Sequence, residues 1–238
     1  MVKNHLSRLN APKSWPIRRK GIKFIAKPSP GPHSMRECIP LNLVVKELLK
    51  LGRTNKEVKN ILNAKNVLIN GIVRKDHKFP IGIMDNISVK ELGKDYRVLY
   101  STKGKFVVKE LKKAQAEFKL SRIETKTIVG KSKVQLNMFD GTNILLDKNN
   151  YKTGDTLVID LKAKKIKEAI KLEKGVKVYI TSGAKVGRIG VVKEIKKLQG
   201  RRGYNVVVEE DGKDFETDKK YAFAIGKVNV KDEWYERN

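Results

Sequence analysis

Residues 1–36 carry nine basic side chains and no Asp or Glu, and six of the seven prolines fall before residue 41. Those prolines are Pro12, Pro16, Pro28, Pro30, Pro32 and Pro40. Proline fixes φ and removes a donor, so this stretch is expected to build neither helix nor sheet ladder on its own. It reads as an extended basic arm over residues 1–40, ordered by lying along something negative. Its candidate phosphate contacts are Lys3, Arg8, Lys13, Arg18, Arg19, Lys20, Lys23, Lys27 and Arg36. Trp15, next to Arg18 and Arg19, is expected to stack on bases while the guanidinium groups take phosphates. A purely solubilising tail has little use for Trp15, Ile17, Phe24 and Ile25.

The rest of the chain extends the same bias. Over 238 residues, 53 Lys plus Arg stand against 26 Asp plus Glu, a formal charge of +27. That exceeds what solubility alone requires and points to a polyanionic partner. The apolar fraction of 39% is enough for folded cores. No apolar run approaches the roughly 20 residues of a membrane-spanning helix, and the charged, proline-broken N-terminus lacks a signal core. A single cysteine, Cys38, leaves no internal disulfide framework, and three scattered histidines (His5, His33, His77) argue against a zinc enzyme or a histidine relay. No cofactor is expected.

A compact unit is expected from residue 41 to 91. Leu41, Val44, Val45, Leu48 and Leu49 follow the i, i+3, i+4, i+7, i+8 spacing of an apolar helix stripe. Pro40 suits the first turn and Gly52 the position past the end. Thr54 with Glu57 has the form of a capping box, and Val58, Ile61 and Leu62 give a second helix its apolar face. In "NVLINGIVRKDHKF", Asn70-Gly71 between two apolar runs signals a hairpin, and "ISVKEL" supplies a third strand. This order resembles the small RNA-binding module first named for the fourth small-subunit ribosomal protein. The resemblance implies that Arg53, Lys56, Lys59, Asn70, Arg74 and Lys75 lie on or near an RNA-facing surface.

Residues 92–174 read as a central strand-rich domain. "YRVLY" and "FVV" flank a turn at Gly104, "KVQLNMF" and "TNILL" flank Asp140-Gly141, and Gly154-Asp155 precedes alternating Leu157, Ile159 and Leu161. The Asp140-Gly141 hairpin is expected to share the chemistry of Asn70-Gly71. One short helix is expected near "KELKKAQAEF", with Leu111 and Phe118 inward. Residues 175–226 combine the alternation of Val176, Val178 and Ile180 with glycines at 183, 187 and 190, the pattern of a small barrel. The segment from Lys177 to Ile195 resembles the KOW motif of ribosomal and transcription-elongation proteins, an SH3-like barrel. By that resemblance Lys185 and Arg188 occupy the loop that touches RNA or protein. Residues 227–238 form a tail to which no role is assigned.

The expected fold class is therefore α+β and β-rich, with three small modules behind a basic arm. In this order, the segments "LNAPKSWP", "KPSPGPHSMRECIPL", "NGIVRKDHKFPIGIMDNISV", "QLNMFDGTNI", "YKTGDTLVIDL", "GAKVGRIGVV" and "AFAIG" resemble the S-four-e family of small-subunit ribosomal proteins, in its shorter archaeal form. The resemblance spans His5 to about Gly226. It implies a structural role in the small ribosomal subunit in the cytoplasm, with small-subunit ribosomal RNA and neighbouring ribosomal proteins as partners. It implies no membrane association and no homo-oligomer.

Enzyme chemistry finds little support in the residues. "GKS" at 130–132 resembles the end of a phosphate-binding loop, but Thr125 stands where that loop needs glycine. Asp85, Asp140 and Asp155 lie in turn-like segments, where Asp caps its own backbone. An RNA-modifying enzyme needs a catalytic domain for which three small modules leave no room. A transcription-elongation or assembly factor is the rival suggested by the KOW-like loop alone.

Overall fold

The computed structural model describes residues 4–130, 133–147, 150–197 and 203–226. Lys3 and the tail at 227–238 lie outside the described residues, as do Lys131 and Ser132. The chain divides into two compact units, Met1–Lys119 and Leu120–Asn238.

In the first unit the arm is folded, contrary to the expectation of a chain with no structure of its own. Strand β1 (Leu6–Ser7) pairs antiparallel with β2 (Phe24–Ile25), Leu6 opposite Ile25 and Ser7 opposite Phe24. A 3₁₀ turn at Arg8–Asn10 follows β1. Prolines deprive the segment of backbone donors, and arginine side chains replace them. Arg19 donates to the carbonyls of Arg8, Leu9, Ala11 and Pro12, and Arg8 to those of Arg18 and Ile22.

Strand β3 (Ile39–Pro40) leads into α1 (Leu41–Leu43), whose next turn, Val44–Leu48, widens to an i→i+5 bond from Leu49 N to Val44 O at 2.9 Å. Pro40 is the extended residue before the helix rather than part of its first turn. Lys50, not Gly52, takes the left-handed conformation after it (φ 54°), while Gly52 is buried against Val58. Helix α2 (Asn55–Asn63) begins at Thr54, whose hydroxyl accepts from Glu57 N at 3.2 Å, while Glu57 Oε2 accepts from Arg53 N at 2.8 Å. The Thr54 half of the capping box is present, and the returning Glu57 carboxylate reaches the N–H of Arg53, one residue ahead of the cap. Val58 and Leu62 are fully buried.

Strand β4 (Val67–Ile69) turns through Asn70 (φ 50°) and Gly71 (φ 77°) into β5 (Ile72–Val73). Two consecutive positive φ values make this the type I′ turn that matches strand twist. Strand β6 (Pro80–Ile81) pairs with β3, and β7 (Asn86–Val89), β8 (Lys94–Tyr100) and β9 (Phe106–Leu111) complete a sheet of order β5-β4-β7-β8-β9. Pairing continues from β7 to β8 through a turn closed by Gly93 N on Lys90 O. The expected boundary at 91/92 thus lies inside one sheet, and the chain divides at residue 119 instead. The expected helix near 109–118 shortens to α3 (Lys113–Ala116), because Leu111 ends a strand and Phe118 starts another.

Strand β10 (Phe118–Val129) runs into the second unit, where its sheet has the order β12-β11-β10-β13-β14. The partners are β11 (Lys133–Met138), β12 (Asn143–Leu146), β13 (Thr156–Asp160) and β14 (Ile166–Ile170). Ile123, Leu136, Met138 and Leu157 form its core. The β11–β12 turn differs from the Asn70-Gly71 hairpin. Gly141 has φ 72° but Asp140 does not have positive φ, and Met138 N bonds Thr142 O. Three residues bridge the strands, with glycine at the left-handed position and Asp140 accepting from Thr142 N. A further sheet of order β18-β17-β16-β15-β19 holds β15 (Lys177–Ile180), β16 (Ile189–Lys197), β17 (Tyr204–Glu210), β18 (Lys213–Asp218) and β19 (Ala222–Ala224).

Candidate nucleic-acid interface

The cations singled out from the sequence separate into two sets. Lys13, Arg18, Lys20, Lys23 and Arg36 of the arm are exposed, as are Arg53, Lys56 and Lys59 around α2 and Lys75 beyond β5. On α2 the apolar residues Val58 and Leu62 face inward, which leaves Lys56 and Lys59 on the solvent side. These side chains project from folded backbone into solvent.

The other set is partly covered or engaged by the protein's own groups. Arg8 and Arg19 tie the arm's own carbonyls together, as described above. Arg74 is half-buried and lies over the Phe79 ring at 4.5 Å, and Lys27 is also half-buried. Lys185 lies 5.8 Å from the centre of the Phe215 ring, and Arg188 Nη1 donates to Glu210 Oε2 at 2.9 Å. Trp15 corrects an expectation outright. Its ring is 1% exposed and its Nε1 donates to Cys38 O at 2.7 Å, so it anchors the arm and offers no face to a base. The Ser14 carbonyl accepts from Phe106 N at 2.9 Å, fixing the same stretch to the start of β9.

Asn70 is likewise turned to internal use. Its Nδ2 donates to Asp85 Oδ1 at 2.8 Å and its Oδ1 accepts from Asn86 N at 2.9 Å. Asp85 is the hub of a buried polar cluster that the sequence did not reveal. Oδ2 accepts from Gly82 N at 2.8 Å and lies 3.0 Å from His33 Nε2, while Oδ1 accepts from Lys119 Nζ at 2.6 Å. Burial pushes the Asp85 carboxyl up, but the Lys119 ammonium, the His33 imidazole and the Asn70 bond outweigh it and hold the group well below the usual carboxylate range. Arg97 lies on the next strand, its Nε on Asn86 Oδ1 at 2.9 Å and its Nη2 on the Phe118 carbonyl at 2.9 Å. Burial brings its pKa down to about 10.

The cluster draws on "GPH", "NG" and "MDN", three segments far apart in sequence. Each looks like ordinary turn chemistry alone; the pairing of β4 with β7 sets "NG" beside "MDN", and the His33–Asp85 contact adds "GPH". Among the described residues no group of three or more His, Cys, Asp or Glu could hold a metal ion. Among the same residues, no helix is long and apolar enough to cross a membrane.

Comparison with known proteins identifies the family. Residues 2–36 match the RS4NT (NUC023) domain, and residues 92–166 match the Ribosomal family S4e. The chain is 42% identical over 227 residues to small ribosomal subunit protein eS4 of Archaeoglobus fulgidus, covering 95% of each chain. The chain belongs to the eS4 family. The Methanosphaera stadtmanae eS4 protein is 41% identical, covering 94% of this chain and 92% of its own. The crystal structure of the 30S ribosomal protein S4e from Thermoplasma acidophilum superposes with a TM-score of 0.71 at 30% identity, over 84% of this chain and 99% of that one. The RS4NT match at residues 2–36 coincides with the acid-free arm.

Proposed function

We propose that this chain is a structural constituent of the small ribosomal subunit, bound to its ribosomal RNA and adjoining ribosomal proteins in the cytoplasm, and that it carries out no bond chemistry. The observation that carries the reading is near full-length similarity to archaeal eS4 proteins. The folded arm supports it, since Lys13, Arg18, Lys20, Lys23 and Arg36 are exposed on a segment with no acidic residue. Phosphate contacts from such side chains release counterions and position the protein without reading sequence. In this reading α2 and the β4–β5 hairpin act as the helix-hairpin RNA-binding surface through Arg53, Lys56, Lys59 and Lys75. The strands from 177 to 224 act as a KOW-type SH3-like barrel.

With about 6–10 phosphate contacts, affinity for ribosomal RNA falls roughly 10³–10⁵-fold between 50 and 200 mM salt. Sedimentation distinguishes this role from that of a transient factor. The chain co-sediments stoichiometrically with small subunits after a moderately high salt wash. Release of the whole population by that wash overturns the structural role.

A further inference from the structure

The burial of Trp15 removes the arm's expected base-stacking ring, and a different ring takes its place on the surface. In the β1–β2 ladder the pair Leu6–Ile25 faces inward, Leu6 at 7% exposure, and the pair Ser7–Phe24 faces outward. Phe24 is 47% exposed. His5, two residues before Ser7 and also exposed, sets its ring 5.1 Å from that of Phe24 at an interplanar angle of 47°. Lys23 Nζ lies 5.5 Å from the Phe24 ring centre. The ladder gives the ring a fixed backbone: Arg8 N donates to Lys23 O at 2.9 Å and Arg8 Nε to Ile22 O at 3.0 Å.

An exposed aromatic on a paired strand, beside an imidazole and an ammonium, suits an occupant that is flat and carries negative charge nearby. The first 36 residues contain no carboxylate, so the arm itself sets only cationic and neutral groups beside this ring. A hydrophobic protein surface satisfies the ring but leaves Lys23, Lys20 and Arg18 without counter-charges. An unpaired nucleotide satisfies both, its base on the ring and its phosphate at the ammonium. We infer that Phe24, flanked by His5 and Lys23, is a stacking platform for an unpaired base of the bound RNA. The inference rests on the ribosomal RNA-binding reading above and names the chemistry of one contact within it.

The test uses the full chain and an in vitro transcript of archaeal small-subunit ribosomal RNA without other proteins. Phe24→Leu keeps an apolar side chain in the ladder and removes the π-face, whereas Phe24→Tyr keeps it. Stacking predicts that Phe24→Leu weakens binding roughly 5- to 150-fold at a fixed salt concentration. The slope of log affinity against log salt stays unchanged, because no phosphate contact is lost. Phe24→Tyr binds as wild type. Equal binding by Phe24→Leu and wild type overturns the platform. So does a defect seen in assembled subunits but absent on the naked transcript, which assigns the ring to a protein neighbour.

Zero-length ultraviolet cross-linking of the unmodified protein gives a readout independent of any variant's folding. The nucleotide adduct falls on the tryptic peptide that starts at Phe24, and an adduct confined to other peptides refutes the assignment. Failure of wild type to bind the transcript at all condemns the ribosomal RNA-binding reading itself, an outcome distinct from a Phe24-specific result.

Discussion

Lys119 Nζ lies 2.6 Å from Asp85 Oδ1, with the two side chains 6% and 1% exposed and 34 residues apart in sequence. The pair holds the first residues of β10 against the loop before β7. His33 brings the proline-rich end of the arm to the same carboxylate. A buried ion pair contributes little net stability when complete, but removing one partner strands the other charge away from water.

Asp85→Ala is therefore expected to cost about 3–5 kcal/mol of unfolding free energy. Urea titration followed by tryptophan emission, to which buried Trp15 contributes, checks the figure, and a loss below about 1 kcal/mol contradicts the pairing. The same residue sets an acid limit. Its folded-state pKa is depressed, so its contribution is fully present above the unfolded value of about 4 and is lost as pH falls through the lower folded value. Wild-type stability declines below about pH 4, and that decline is shallower in the variant.

Adjacent arginines of the arm are expected to behave oppositely. Arg18 is exposed, so Arg18→Ala leaves stability within about 0.5 kcal/mol and lowers the salt slope of RNA binding by roughly 0.7–0.9. Arg19 closes four carbonyls of residues 8–12. Its removal costs about 1.5 kcal/mol or more of local stability, so tryptic cleavage at Lys13 quickens roughly tenfold. Similar cleavage rates for the two variants contradict the division of labour.

Gly190 in β16 lies where a Cβ would overlap Val208 Cγ1 and approach Glu209 O to 2.5 Å. Backbone of the paired strand β17 cannot move aside as a flexible side chain can. Gly190→Ala is expected to cost about 1–3 kcal/mol by overpacking, read as a lowered thermal midpoint. An unchanged midpoint contradicts the close approach.

The Cys38 thiol, buried beneath the arm, is pushed up to about 12 by desolvation, with Glu37 adding to the shift. It stays protonated and unreactive at pH 8, since the thiolate is the nucleophile. Folded protein is expected to resist iodoacetamide over hours, and urea-unfolded protein to be alkylated fully. Rapid labelling of the folded chain contradicts the burial.

Local chemistry was legible in the residues. Thr54 with Glu57, Asn70-Gly71 and the alternation at 176–180 each act within a few positions, and each forms the feature its spacing implies. Partnerships across long separations were not. Nothing near Trp15 announces the Cys38 carbonyl, and nothing distinguishes Arg18 from Arg19 until the 3₁₀ turn decides which guanidinium points inward. The boundary expected at 91/92, which falls between paired strands, has a similar origin. The segment "KELGKD" has the composition of a linker, yet it is a tight turn between paired strands. Asp85 reads as a turn cap and does cap Gly82, but the ammonium that makes it an ion pair arrives from a strand 34 residues on.

The guanidinium staples of the arm have a kinetic consequence. A segment that must fold on its target loses entropy at the moment of encounter and waits for the right conformer. Here Arg8 and Arg19 shape the loop in advance, so in the proposed RNA-binding role docking approaches rigid-body capture. Its speed is then set by long-range attraction between a cationic surface and an anionic one, and slows as ions are added.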